Sequence, residues 1–210
     1  MARRTKEEAQ ETRNRILDTA ERVFSANGVA HTSLADIATA AELTRGAIYW
    51  HFKNKCDLFT AMVDRELLPM DELLETPFDA KEINPLQRLR DILVDCLCDV
   101  MRNPRRRTIV EILLLKWEHT PDMQPVIDIK RINIRSTIER MARSLDNAVS
   151  KQQLPETLDT QRAARFLHGL IVGVMSDYLM LASGIDIMYE APRLIDGYID
   201  MLKQSPCLLR

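Results

Sequence analysis

Apolar residues recur at helical spacing along almost the whole chain. Ile16, Ala20, Val23 and Phe24 mark the inner face of a first helix. Thr5 with Glu8 three residues on forms a capping box at its start, and Gly28 after Asn27 ends it. Glu11 with Arg15 and Asp18 with Arg22 lie four apart in the favourable order. Ser33 and Asp36 start a short second helix with an inner face of Leu34, Ile37, Ala38 and Ala41, running out near Glu42. Thr44 caps a third. Leu43 before the cap and Ile48 inside the helix can staple it, and Ile48 and Phe52 point inward. Asn54 with Asp57 opens a fourth helix through Leu58, Phe59, Met62 and Val63, which Pro69 is expected to kink or interrupt.

Periodicity breaks from about Glu75 to Asn84, which reads as a loop. Asn84-Pro85 then gives a cap followed by a helix-opening proline, ahead of Leu86, Leu89, Ile92, Leu93, Cys96, Leu97 and Val100. Asn103-Pro104 repeats that signature. The stretch Ile109 to Trp117 is apolar nearly all round, so its helix should be buried on most sides. Pro121 opens a long helix reaching roughly Lys151, lined by Val126, Ile127, Ile134, Ile138, Met141 and Leu145. Residues 159–182 and about 189–204 form two more, and the tail Cys207-Leu208-Leu209-Arg210 is expected to fray. No strand pattern and no internal repeat is present. The fold class is all-α, with about nine helices.

Composition removes other classes. With 46% apolar and 29% charged residues, six Gly and nine Pro in 210, the chain is globular rather than disordered or low-complexity. The longest apolar run, Leu170 to Met175, is six residues, and a membrane helix needs about 20. The basic start Met1-Ala2-Arg3-Arg4 has no apolar stretch behind it, so no signal peptide is read and a cytoplasmic location without membrane contact is expected. Cys56, Cys96, Cys98 and Cys207 are scattered, as are His31, His51, His119 and His168. Neither a disulfide framework nor a metal site follows, and no phosphate loop, dinucleotide motif or nucleophile elbow occurs. Neither a cofactor nor enzymatic activity is expected. The net charge of −2 hides an asymmetry: residues 1–55 carry nine basic and seven acidic groups. Ten methionines suit a region that repacks.

Two short helices joined by a tight turn, then a basic and aromatic stretch, form a helix-turn-helix pattern. With Ile48 and Phe52 buried, Arg45, Gly46, Ala47, Tyr49 and His51 fall toward the other face or the exposed start of the third helix. Arg45 can fork onto guanine or a phosphate. Gly46 and Ala47 let the backbone approach base edges, and the Ala47 methyl can touch thymine. Tyr49 and His51 reach phosphates, Lys53 and Lys55 flank the exit, and the helix starts at Ser33, Thr44 and Asn54 offer amides to phosphate. Trp50 is assigned with Phe52 to the core, and His31 to a solvent-facing loop. Arg3, Arg4 and Lys6 are read either as a phosphate-contacting arm or as a solvated tail.

Thr44-Arg45-Gly46-Ala47-Ile48-Tyr49-Trp50-His51-Phe52-Lys53-Asn54-Lys55, behind Thr32-Ser33-Leu34-Ala35-Asp36-Ile37-Ala38, resembles the DNA-binding domain of the TetR family. The opening Ala2 to Ala9, the segments Glu111-Ile112-Leu113 and Lys116-Trp117-Glu118-His119, and Ser205-Pro206-Cys207-Leu208 are similar to the AcrR/TtgR-like group of multidrug-efflux repressors within it. The resemblance implies a three-helix DNA-binding domain over 1–55 and a helical ligand-binding and dimerisation domain over 56–210. One departure is Glu42-Leu43, where members usually carry Gly and Val. Glu42 has no glycine's tolerance of positive φ, so a strained or altered turn is expected there.

The implied partners are double-stranded operator DNA, a hydrophobic small-molecule inducer and a second copy of the chain, docked through the last two helices. Gly169 and Gly173 would allow close approach in that dimer. From the resemblance the ligand is expected to touch Ile92, Cys96, Val110 and Leu114, then Thr137, Met141, His168, Ile171, Val172 and Met175. The surplus apolar surface of the helix through Val110, Leu113, Leu114 and Trp117 supports a cavity, Met70 is a further lining candidate, and Thr137 and His168 are its polar candidates. Arg105-Arg106-Arg107, at the unfavourable end of the helix dipole, is read as a solvated or ion-paired face. The implied function is a repressor of an efflux-pump operon. Its alternatives are a regulator of lipid or other metabolism answering one metabolite, and an all-helical carrier or enzyme.

Overall fold

The computed structural model describes residues 6–73, 77, 79, 81–116, 118, 120–181 and 186–209. Among these the elements are α1 (Lys6–Asn27), α2 (Leu34–Ala40), α3 (Arg45–His51), α4 (Lys55–Leu73), α5 (Pro85–Arg102), α6 (Pro104–Leu115), α7 (Gln124–Ser150), α8 (Thr160–Leu181) and α9 (Ile187–Gln204). Single 3₁₀ turns sit at Pro121–Met123 and Pro206–Leu208. The described residues contain no strand, only an isolated bridge between Leu158 and Leu209. The all-α class and the helix order follow the hydrophobic periodicity. Arg3, Arg4, the Thr5 cap, much of the loop after α4, Trp117, His119 and the side chain of Met70 lie outside the described residues.

Local chemistry sets the helix starts. Ser33 and Asp36 close a reciprocal capping box on α2. Thr44 Oγ1 accepts the Ala47 amide at 3.2 Å, and Asn84 Oδ1 accepts the Gln87 amide at 3.3 Å. Asn103 accepts the amides of Arg105 and Arg106. Pro69 does not interrupt α4, which continues to Leu73.

The chain divides into two compact units: Met1–Leu67 with Thr108–Ile129, and Leu68–Arg107 with Lys130–Arg210. The core of the first draws Ile16, Leu17, Ala20 and Phe24 from α1, Leu34, Ile37 and Ala38 from α2, Ile48 and Phe52 from α3, and Leu58, Phe59 and Met62 from α4. Ile109 and Ile112 of α6, with Met123 and Val126, complete it. Phe24 meets Phe59 edge-on at 5.8 Å between ring centres. Each such buried side chain contributes about 1.5–3 kcal/mol, so the two seven-residue helices α2 and α3 stand on packing rather than on their own propensity. The Ile109–Trp117 stretch is less buried than its composition suggests. Ile109 and Ile112 are fully buried, Val110, Leu113 and Leu114 are half-buried, and Leu115 is exposed. The i, i+3 pair meets the core and Leu113 leans on it, while Val110, Leu114 and Leu115 lie at angles the core does not cover.

In the second unit α5 packs along α9. Arg90 holds Asp196 by two bonds of 2.5 and 2.8 Å, and the pair depresses the Asp196 carboxyl. Tyr198 donates its hydroxyl to the Ala163 carbonyl at 2.8 Å. The Arg105–Arg107 cluster is largely accounted for: Arg106 pairs with Asp99, and Arg107 lies over the Tyr178 ring at 5.4 Å. The tail does not fray over its described residues. Leu208 is buried, its carbonyl accepts the Asp159 amide at 2.8 Å, and Arg162 donates to the carbonyls of Cys207 and Leu209. Those bonds anchor a short segment whose length alone suggested fraying.

By length and composition, α8 is the one described helix apolar enough to cross a membrane. One stripe of it is buried within the second unit, and the opposite, exposed stripe is also partly apolar. Ala163, Ala164, Leu167 and Met175 are buried, while Phe166, Gly169, Gly173 and Met180 are exposed.

Candidate nucleic-acid interface

Helix α3 is a short rod with one side fixed. Ile48 is fully buried and Phe52, its C-cap, nearly so. At 100° per residue the opposite side falls on Gly46 and Trp50, flanked by Tyr49 and Ala47. Arg45, Gly46, Tyr49 and Trp50 are exposed, and Ala47 and His51 are half-buried. Tyr49 is 59% exposed and Trp50 72%. This overturns the assignment of Trp50 to the core. Its ring packs edge-on against His51, 4.5 Å between centres, and leaves the indole in solvent. Its place two residues after Ile48 already pointed outward, but its size argued for the interior. Trp50 is therefore a candidate contact that residue-type reasoning misses.

The turn leading into α3 has the anticipated feature. Glu42 has φ 54°, in the left-handed region. The Leu43 amide bonds the Ala38 carbonyl at 2.9 Å and the Glu42 amide bonds Thr39 at 3.1 Å. This is a Schellman closure of α2, with glutamate at the position that favours glycine.

Beside α3 lies a shallow cleft of about 440 Å³, lined by Ala30 to Leu34 on one side and by Tyr49, Lys53, Asn54 and Lys55 on the other. Of the expected residues, Tyr49, Lys53 and Lys55 thus line one cleft with the Ser33 cap, while Arg45 and His51 do not. Some of their polar groups are already engaged. The Ser33 hydroxyl and amide both donate to Asp36 Oδ2, at 2.7 and 2.8 Å. Those two bonds, and then the charge of Arg45, hold the Asp36 carboxyl below its usual range. The Lys53 amide donates to Asp57, whose own amide bonds Asn54 Oδ1, so α4 is self-capped. Lys55 points inward: its ammonium donates to the Val29 and Ala30 carbonyls at 3.0 and 3.3 Å. Lys53 is exposed, with its side chain beside the cleft. His31 is solvent-facing, 3.4 Å from Glu118.

The residues expected to hold a ligand are spread over α5 to α8. In the first unit Val110, Leu113 and Leu114 are half-buried, and Leu113 leans on the core. In the second, Ile92, Met141 and Met175 are buried, while Cys96, Thr137, His168 and Ile171 are half-buried. Burial lowers the His168 pKa, so its imidazole is neutral near pH 7. Val172 lies on the outer stripe of α8 with Gly169 and Gly173. Trp117 lies outside the described residues.

Two short helices crossing over a shared core, the second presenting Arg45, Tyr49 and Trp50 beside a basic cleft, define a helix-turn-helix regulator of transcription. The chain belongs to the TetR family. The model of bacterial regulatory proteins of that family matches residues 16–62, and that of the MAATS-type transcriptional repressor C-terminal region matches 84–204. It is 39% identical over 208 residues to the HTH-type transcriptional regulator TtgR of Pseudomonas putida, covering 99% of each chain. The structure of NalD, secondary repressor of the MexAB-OprM multidrug efflux pump in Pseudomonas aeruginosa, superposes with a TM-score of 0.85 at 31% identity, covering 95% of this chain and 100% of that one. SmeT of Stenotrophomonas maltophilia, solved with triclosan, gives a TM-score of 0.85 at 31% identity over 94% of each chain. The protein is thus a TetR-type transcriptional repressor, homologous to repressors of multidrug efflux pumps.

Proposed function

We propose that this chain represses an efflux-pump operon as a homodimer on a pseudo-palindromic site, and that hydrophobic small molecules release it. Carrying this reading is the solvent-facing side of α3: Arg45, Tyr49 and Trp50 project from a rod fixed by Ile48 and Phe52. Arg45 and Ala47 read base edges, while Thr44, Tyr49, His51 and Lys53 hold phosphates. Gly46 keeps the rod close to the groove. Such a protein works in the cytoplasm. Lys55 supports this face from within through its carbonyl bonds.

A dimer is supported by the outer stripe of α8, with Phe166, Val172 and Met180 exposed and open space at Gly169 and Gly173, and by exposed Tyr189 on α9. An apolar stripe of that length in water calls for a partner, and the last two helices supply it. The ligand is received among the second-unit residues of α5, α7 and α8, with His168 and Thr137 as polar anchors in an apolar lining. Release needs differential affinity: shifting the DNA-competent population from 99:1 to 1:99 takes about 10⁴-fold preference, or about 5.5 kcal/mol. The SmeT complex makes triclosan the first probe to try.

Hydroxyl-radical footprinting on duplexes selected from a random pool tests the reading. Two protected half-sites, one helical turn or a multiple apart, are expected, fading as triclosan and a panel of apolar drugs are titrated. Selection that enriches no duplex would refute it.

A further inference from the structure

The polypeptide between α1 and α2 is tied down from two sides by lysines that do not belong to it. Gly28, at φ 78°, turns the chain out of α1. The next amide, Val29, donates to the carbonyl of Lys116, just past the end of α6, at 3.1 Å. The Lys116 ammonium reaches back to the Ser25 carbonyl in the last turn of α1 at 2.7 Å, where a cation also suits the helix dipole. Glu111 of α6 pairs with the same ammonium at 2.9 Å and orients it. From the other side Lys55 holds the carbonyls of Val29 and Ala30. Packing is close as well: a Cβ at Gly28 would stand 3.4 Å from the Lys116 carbonyl.

This clamped segment, continued by His31 to Ser33, forms one wall of the cleft beside α3. Lys116 is not among the residues lining that cleft. We infer that Lys116 is a positioning residue for DNA recognition: through its carbonyl and its ammonium it sets the α1–α2 turn, and with it the wall of the cleft, without touching DNA itself. This rests on the DNA-binding reading above. Losing the ammonium removes the charge-assisted bond to Ser25 and frees Glu111, leaving the turn to Lys55, the Val29 amide and the local bonds of Thr32 to Gly28 and Val29.

Lys116→Met, which keeps the methylene stem, Lys116→Arg, which keeps the cation, and Glu111→Gln, which removes its orienting partner, test this. The probe is a duplex of about 30 base pairs selected by the wild-type protein. Each phosphate neutralised contributes about 0.9 to the salt slope of log K, so a direct phosphate contact and a positioning role separate cleanly. Lys116→Met is expected to bind about tenfold more weakly with an unchanged slope, Lys116→Arg to restore binding, and Glu111→Gln to fall between. Lys53→Gln, the control for a phosphate contact, should lower the slope by about one.

Amide exchange over residues 25–34 of the free protein should accelerate in Lys116→Met, with the rest of the first unit still protected. Wild-type affinity in Lys116→Met, a slope lowered by one, or unaltered exchange at 25–34 would each overturn the inference. If the wild-type protein selects no duplex, the functional reading fails by itself, and exchange still decides whether the ammonium holds the turn.

Discussion

Glu42 carries a measurable cost that a single substitution should remove. Its backbone is left-handed at φ 54°, fixed there by the Leu43–Ala38 and Glu42–Thr39 bonds that close α2. A left-handed residue with a Cβ costs about 1–2 kcal/mol, while glycine brings an extra unfolded-state entropy of about 0.5–1 kcal/mol. The net gain for Glu42→Gly is therefore about 0.5–1 kcal/mol, or a rise in melting temperature of about 1–4 °C at this chain length. Glu42 is exposed and charged, so Glu42→Gln is the necessary control: it removes the charge and leaves the strain. Thermal unfolding followed by circular dichroism should rank Glu42→Gly above both Glu42→Gln and the wild type. Equal stability of the two variants would mean that the turn stores no backbone strain and that the derivation is wrong.

Two further outcomes follow from other parts of the molecule. Burial lowers the His168 pKa below its ordinary 6.5. The unfolded chain then takes up the proton first, so this residue's contribution to stability is complete above about pH 6.5 and shrinks as pH falls through that value. His168→Phe should flatten the pH dependence of the urea midpoint between pH 7 and 5, and an unchanged profile would show that the imidazole titrates as if in water. Gly173→Arg places a long charged side chain where nothing lies within 4 Å, so the single chain should melt normally. Sedimentation should then show a monomer if the outer stripe of α8 is the dimer surface, and a dimer that survives the substitution puts that surface elsewhere.

Much of the architecture is legible in the sequence because it is locally encoded. Ser33, Thr44, Asn84 and Asn103 all cap the helices that their spacing predicts, and Ile48 and Phe52 are buried as the period requires. Glu42 is legible too, since the closure of α2 demands a left-handed residue whatever side chain stands there. The misreadings share a cause: each depends on what lies elsewhere in the chain. Trp50 is large, yet its angle on α3 leaves its indole mostly in solvent, with His51 against its edge. The described tail residues looked too short to hold, but Arg162 and the Asp159 amide wait for their carbonyls. The inward bonds of Lys55 had no local signal, because its carbonyl partners are 25 and 26 residues away. Lys116 gave no signal at all, since its partner Ser25 lies 91 residues earlier.

The central claim is that the outward side of α3 engages duplex DNA, and titration of wild type, Arg45→Ala and Tyr49→Ala against a selected duplex at several salt concentrations tests it most directly. Arg45→Ala should lose about 1–3 kcal/mol and tolerate changes at one base position, and Tyr49→Ala should weaken binding across all sequences alike. Both variants binding with wild-type affinity and wild-type sequence preference would contradict the account.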